Sequence, residues 1–126
     1  MAGKTVAELV RNARKDIENL TPDQVEAEIA AGKATLVDLR DVPELAAGSI
    51  PGGLHVSRGM LEFHADPACP LHKRELDPDR RTILYCAGGG RSALAVHSLR
   101  ELGYRSVAHL DGGFHAWQAA GKPVRR

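Results

Sequence analysis

At 126 residues the chain has room for one domain and is too short for two with separate cores. Its 17 basic and 16 acidic residues leave a formal charge of +1, which excludes the electrostatic footprint that nucleic acid or an anionic membrane requires. Hydrophobic residues make up 43%, enough to build a core, so the composition also argues against disorder.

The chain opens on Met1-Ala2-Gly3-Lys4 with no apolar signal core, and no later segment reaches membrane-spanning length, so a cytoplasmic address is expected. Val6, Leu9, Val10, Ala13 and Ile17 recur at helical spacing and predict an amphipathic helix over roughly Thr5 to Asn19. Thr21-Pro22-Asp23-Gln24 reads as a capping box with proline in the first turn, opening a second helix that runs to about Ala31 and stops at Gly32. Thr35 to Leu39 is a short apolar run of the kind buried on both faces of a sheet. Gly48 to Gly53 is rich in turn residues, and Leu54-His55-Val56 suits a brief strand. Residues 57–80 hold three prolines and no clear period, and predict a long surface connection with one short helix.

Thr82-Ile83-Leu84-Tyr85 is a buried strand by composition and delivers the chain to Cys86. The glycines that follow neither continue a strand nor favour a helix, and the helical pattern resumes at Ser92, with Ala95, Val96, Leu99 and Leu102 on one face. Val107 to Leu110 is a further strand, and Asp111-Gly112-Gly113 turns the chain into a last helix carrying Trp117. Strands alternating with helices imply an α/β fold, a mostly parallel central sheet with helices on both faces.

The chemistry gathers in Cys86-Ala87-Gly88-Gly89-Gly90-Arg91-Ser92, at the carboxyl end of a strand and the start of a helix. Ligands of open α/β sheets bind at that edge. Cysteine reacts as the thiolate, which a helix N-terminus and a nearby cation both stabilise. Consecutive glycines let backbone N–H groups turn inward as an anion cradle, and Arg91 adds a permanent positive charge. A cysteine at a strand end is usually a small core residue, and a glycine loop is often only a tight turn. The order strand, cysteine, glycines, arginine, helix favours chemistry, because each part meets a requirement of an activated thiolate.

Four motifs in sequence resemble the single-domain rhodanese (thiosulfate sulfurtransferase-like) family, over about Leu20 to the C-terminus. The Cys86–Ser92 loop is similar to that family's active-site loop, and Val37-Asp38-Leu39-Arg40 to its Asp-x-Arg motif. Glu44 with Gly48-Ser49-Ile50-Pro51-Gly52-Gly53 resembles its Glu then Gly-His-Ile-Pro-Gly-Ala segment. Leu110-Asp111-Gly112-Gly113-Phe114, with Trp117 and Gly121-Lys122-Pro123, resembles its C-terminal motif. Ser49 stands where histidine is usual and Leu45 where an aromatic is common. Residues 1–19 then form an appended helix, and 20–126 a rhodanese-like domain.

The resemblance implies a sulfurtransferase without cofactor or metal. Cys86 is its catalytic nucleophile, attacking the sulfane sulfur of thiosulfate or a persulfide and holding it as a persulfide. Ala87, Gly88, Gly89, Gly90, Arg91 and Ser92 bind the substrate, and a thiol, cyanide or a protein acceptor removes the sulfur. Asp38 and Arg40 are expected as a buried support for the loop. Arg58 is expected in a surface salt bridge, with the pocket mouth as its other reading. His64, Cys69 and His72 lie close in sequence but do not match zinc spacings. Two other classes compete. Phosphatases and arsenate reductases of this fold use a Cys-x5-Arg loop around a tetrahedral anion, whereas four residues separate Cys86 from Arg91 here. Noncatalytic rhodanese-like modules commonly lack the cysteine, which this chain retains.

Overall fold

The computed structural model describes residues 3–126; Met1 and Ala2, where the expected appended segment begins, lie outside the described residues. Helix α1, Val6–Arg14, starts at a capping box: the Thr5 hydroxyl accepts the Glu8 N–H, and the Glu8 carboxylate accepts the Thr5 N–H. The helix ends at Arg14 and does not run on to Asn19 as its periodicity suggests. The Asn19 side-chain amide donates to the carbonyls of Arg14 and Ile17 (3.0 and 3.1 Å), taking up a helix-end acceptor. Glu18–Leu20 then forms strand β1, which pairs with β5 (Val107–Leu110) far along the chain. A long-range ladder overrides the local period here.

Helix α2, Pro22–Ala30, carries the expected Thr21–Gln24 capping box, and β2 follows at Ala34–Asp38. A 3₁₀ turn at Val42–Ala47 leads to β3, Leu54–His55. The connection after it holds a 3₁₀ turn at Arg58–Met60 and the short α3, Leu61–Ala65. Leu61, Ala65 and Leu76 are fully buried, so this connection is pinned to the core and does not simply cross the surface. Strand β4 is Arg81–Tyr85, α4 is Gly90–Glu101 and α5 is Gly113–Ala119. Helix α4 begins at Gly90, two residues before the expected Ser92, because Gly89 adopts a left-handed φ of 102° that turns the backbone directly into the first helical turn.

The five strands lie in the order β1-β5-β4-β2-β3, all neighbours parallel. Side chains alternate across the sheet and sort into two cores. Val37, Leu84, Cys86 and Val107 face one side with Val96 and Leu99 of α4. Leu36, Ile83, Tyr85 and Ala108 face the other with Val25 of α2 and Phe114 and Trp117 of α5. Each fully buried aliphatic or aromatic side chain contributes roughly 1.5–3 kcal/mol. Central β4 runs between β5 and β2, and delivers Cys86 at its carboxyl end on the α4 side. No helix among the described residues is long and apolar enough to cross a membrane.

Candidate active site

Cys86 is 1% exposed, at the base of the turn between β4 and α4. Its Sγ accepts the Gly89 N–H at 3.2 Å and lies 3.6 Å from the Ser92 Oγ. The sulfur thus meets the first turn of a twelve-residue helix, where unpaired N–H groups and the helix dipole favour negative charge. The turn is fixed from behind: Phe114 and His115 at the start of α5 donate their N–H groups to the carbonyls of Cys86 and Ala87 at 2.8 and 3.0 Å. Gly113, at φ 60°, permits this approach, because a Cβ there would collide with both of those carbonyl oxygens. The Asp-Gly-Gly segment is therefore part of the site's construction. Within the loop, Gly88 is exposed, Ala87, Gly90 and Arg91 are half-buried, and Gly89 and Ser92 are buried.

Arg91 is not the free cation that the sequence suggests. Its Nη1 and Nη2 donate to the two Glu44 carboxylate oxygens at 2.7 and 3.0 Å. Arg91 in turn holds the Glu44 carboxyl far down, at about 2, helped by the Asp41 N–H. The Arg91 charge is thus largely neutralised by Glu44.

Asp38 and Arg40 form a buried ion pair at 2.8 Å, and the Tyr85 hydroxyl donates to Asp38 at 2.8 Å. Arg40 also donates to the carbonyls of Glu44 (3.3 Å) and Gly48 (2.8 Å), and its guanidinium lies 4.3 Å from the centre of the Phe114 ring. The pair therefore holds the 42–48 turn and reaches the cysteine loop through Tyr85, Glu44 and Phe114. Arg58 pairs with Glu62 at 3.0 Å and donates to the Ser98 hydroxyl, the surface arrangement expected of it. Both cysteines are free thiols, and Cys69 sits half-buried in the 66–72 turn. Among the described residues no cluster of His, Cys, Asp or Glu could hold a metal ion.

Two residues that sequence reasoning passed over lie behind the sulfur. His109 is fully buried in β5, on the α4 side of the sheet. Its Nδ1 is 2.8 Å from the Ser92 Oγ and its Nε2 is 2.7 Å from the Asn19 Oδ1. Asn19 is directly opposite it in the β1–β5 register. Burial pushes the imidazole pKa down to about 4. A histidine inside an otherwise apolar four-residue strand was the available signal; Asn19 carried none while it read as helix.

A model of the rhodanese-like domain matches residues 21–120. A sulfurtransferase of Allochromatium vinosum is 35% identical over 89 residues, which span 71% of this chain and 76% of that one. A solved Rhodopseudomonas palustris protein of unknown function, described as a possible tyrosine phosphatase, is 38% identical with a TM-score of 0.91 and covers 99% of this chain and 97% of its own. The human single-domain sulfurtransferase is 27% identical with a TM-score of 0.71, covering 80% of this chain and 95% of that one. With the strand–cysteine–helix turn, the buried Asp38–Arg40 pair and the Asp-Gly-Gly brace in these positions, the chain belongs to the rhodanese-like domain family.

Proposed function

We propose that this protein is a sulfurtransferase in which Cys86 carries a sulfane sulfur as a persulfide. The observation that supports it most is the Cys86 Sγ held by the Gly89 N–H at the N-terminus of α4. Such helix ends stabilise an anion by about 0.3–1 kcal/mol when exposed and up to ~2 when partly buried. Similarity to sulfurtransferases from Allochromatium vinosum and human supports the same reading.

In the first half-reaction the Cys86 thiolate attacks the outer sulfur of thiosulfate, or of a small or protein-borne persulfide. The donor S–S bond breaks, and sulfite or a thiolate leaves with the electron pair. Within the loop that holds the new persulfide, Gly88 is the exposed residue. In the second half-reaction a thiol, a protein acceptor or, in an assay, cyanide attacks that outer sulfur and Cys86 departs as thiolate. No metal or organic cofactor enters these steps.

The Rhodopseudomonas palustris relative's description raises phosphatase chemistry as a second reading. Two features weigh against it: only four residues separate Cys86 from Arg91, and both Arg91 terminal nitrogens are engaged by Glu44 rather than open to a tetrahedral anion. Paired assays separate the readings. Thiosulfate with cyanide should yield thiocyanate in a Cys86-dependent way, while aryl-phosphate hydrolysis stays at background. Cys86-dependent phosphate release without sulfur transfer would overturn the proposal.

A further inference from the structure

We infer that Ser92, His109 and Asn19 form a proton relay for Cys86, with His109 as the positioning residue that receives the thiol proton through the Ser92 hydroxyl. This rests on the reading of Cys86 as the nucleophile, and concerns how that nucleophile loses and regains its proton.

The hydrogen-bond directions follow from one anchored group. The Asn19 side-chain nitrogen donates to two backbone carbonyls, Arg14 at 3.0 Å and Ile17 at 3.1 Å, so its oxygen is the atom turned to the imidazole. An amide oxygen only accepts, and the His109 Nε2, 2.7 Å away, therefore carries a proton. In the neutral ring the Nδ1 is then bare, and it accepts the Ser92 hydroxyl at 2.8 Å. The competing acceptor for that hydroxyl, the Gly89 carbonyl, is more distant at 3.3 Å. With its proton committed to His109, the Ser92 oxygen offers a lone pair to the Cys86 S–H, 3.6 Å away.

The chain is thus poised in one direction. As the Cys86 S–H bond breaks, its proton bonds to the Ser92 oxygen, and the original Ser92 proton bonds to the His109 Nδ1. The products are a thiolate facing a Ser92 hydroxyl donor and an imidazolium. Both imidazolium N–H groups point at oxygens that accept, Ser92 Oγ and Asn19 Oδ1, so no heavy atom has to move. When the acceptor strips the outer sulfur and Cys86 departs as thiolate, the same path run backward returns the proton.

The charged groups around the ring do not replace this coupling. Arg14 of α1 and Asp111 at the end of β5 act on His109 with opposite sign and are paired to each other at 2.8 Å. Strand β1 presents the neutral Asn19, and α4 the neutral Ser92. On β4 the Tyr85 hydroxyl belongs to the other face, bonded to Asp38. Burial disfavours the imidazolium, so the transferred state is a minor one, reached only with the thiolate opposite it.

The test is the rate of Cys86 alkylation by iodoacetamide against pH, with the ring nitrogens of His109 followed by NMR. Because the transferred proton stays within the pair, the relay gives a pH-independent alkylation rate below the Cys86 midpoint, and His109→Gln should lower that rate about tenfold near neutrality. Asn19→Asp puts a carboxylate on Nε2, favours the imidazolium and should move the midpoint down. In the unmodified protein the ring should keep its proton on Nε2 with Nδ1 bare on both sides of the Cys86 transition, since raising the pH takes a proton from the pair and adds none to the ring. An unchanged near-neutral rate in His109→Gln, or a ring whose resting proton is on Nδ1, overturns the relay. If thiosulfate loads sulfur onto Cys86 and the near-neutral rate of His109→Gln does not fall, the relay alone fails. If that rate falls as stated and no sulfur loads, the relay stands and the sulfur-carrier reading fails.

Discussion

Glu44 sets how much of Arg91's charge reaches the sulfur. With both terminal nitrogens of Arg91 on that carboxylate, Arg91→Ala removes a charge already mostly neutralised. Sulfur loading from thiosulfate should therefore fall only a few-fold in Arg91→Ala. Glu44→Gln frees the guanidinium and should act oppositely, lowering the KM for an anionic donor and the pH midpoint of Cys86 alkylation; equal losses in both variants would contradict this reading of the pair. The pair also titrates. Glu44 is depressed from 4.5 to about 2, so the stability it contributes is present above about pH 4.5 and is lost as the pH falls toward 2. Between the two thiols the account is asymmetric. Cys86→Ser should abolish transfer, because an unactivated hydroxyl is a poor nucleophile for sulfur. Cys69→Ser should retain most of the rate, since Cys69 lies in the 66–72 turn of the connection.

At the scale of elements, the site is a meeting of strand ends and helix starts. The β4–α4 turn supplies Cys86, α5 braces the turn's carbonyls, and the 42–48 turn carries Glu44 across to Arg91. Gly113 is where two of these elements touch. Gly113→Ala places a Cβ against the Cys86 and Ala87 carbonyl oxygens at a positive φ. The strain should cost on the order of 1–3 kcal/mol. Urea unfolding should show the loss, and sulfur loading should fall with it because the loop is displaced. A Gly113→Ala protein of unchanged stability and activity would mean that α5 does not hold the loop. Most elements were legible in the sequence because their signals are local. The Thr21–Gln24 capping box, the apolar runs of β2, β4 and β5, and the glycines after Cys86 each announce an element within a few residues. Strand β1 was not legible: Glu18-Asn19-Leu20 is short and half polar, and its strand character comes from pairing with Val107–Leu110. The first turn of α4 was read two residues late, since glycines at 88–90 look unlike a helix start until Gly89 takes its left-handed turn.

Across the whole molecule, the parallel sheet decides which distant residues meet at the sulfur. The order β1-β5-β4-β2-β3 places His109 beside the strand that delivers Cys86 and Asn19 one strand further out, though neither lies near Cys86 in sequence. Motif spacing could therefore locate the cysteine loop and the Asp38–Arg40 pair, but not the polar chain behind them or the ion pair that occupies Arg91. Burying His109 has a global consequence as well. An unfolded histidine binds its proton near 6.5 and the folded one near 4, so the unfolded state takes up more protons in that window. Stability should drop as pH falls from about 6.5 to 4, by on the order of 2–3 kcal/mol at most. The fall in melting temperature over this range should be shallower in His109→Gln. The central claim, that Cys86 carries sulfur, has a more direct test: mass spectrometry of the intact protein after incubation with thiosulfate. The account predicts one added sulfur atom, absent in Cys86→Ser, retained in Cys69→Ser and removed by cyanide; an unmodified mass, or an adduct that survives in Cys86→Ser, would contradict it.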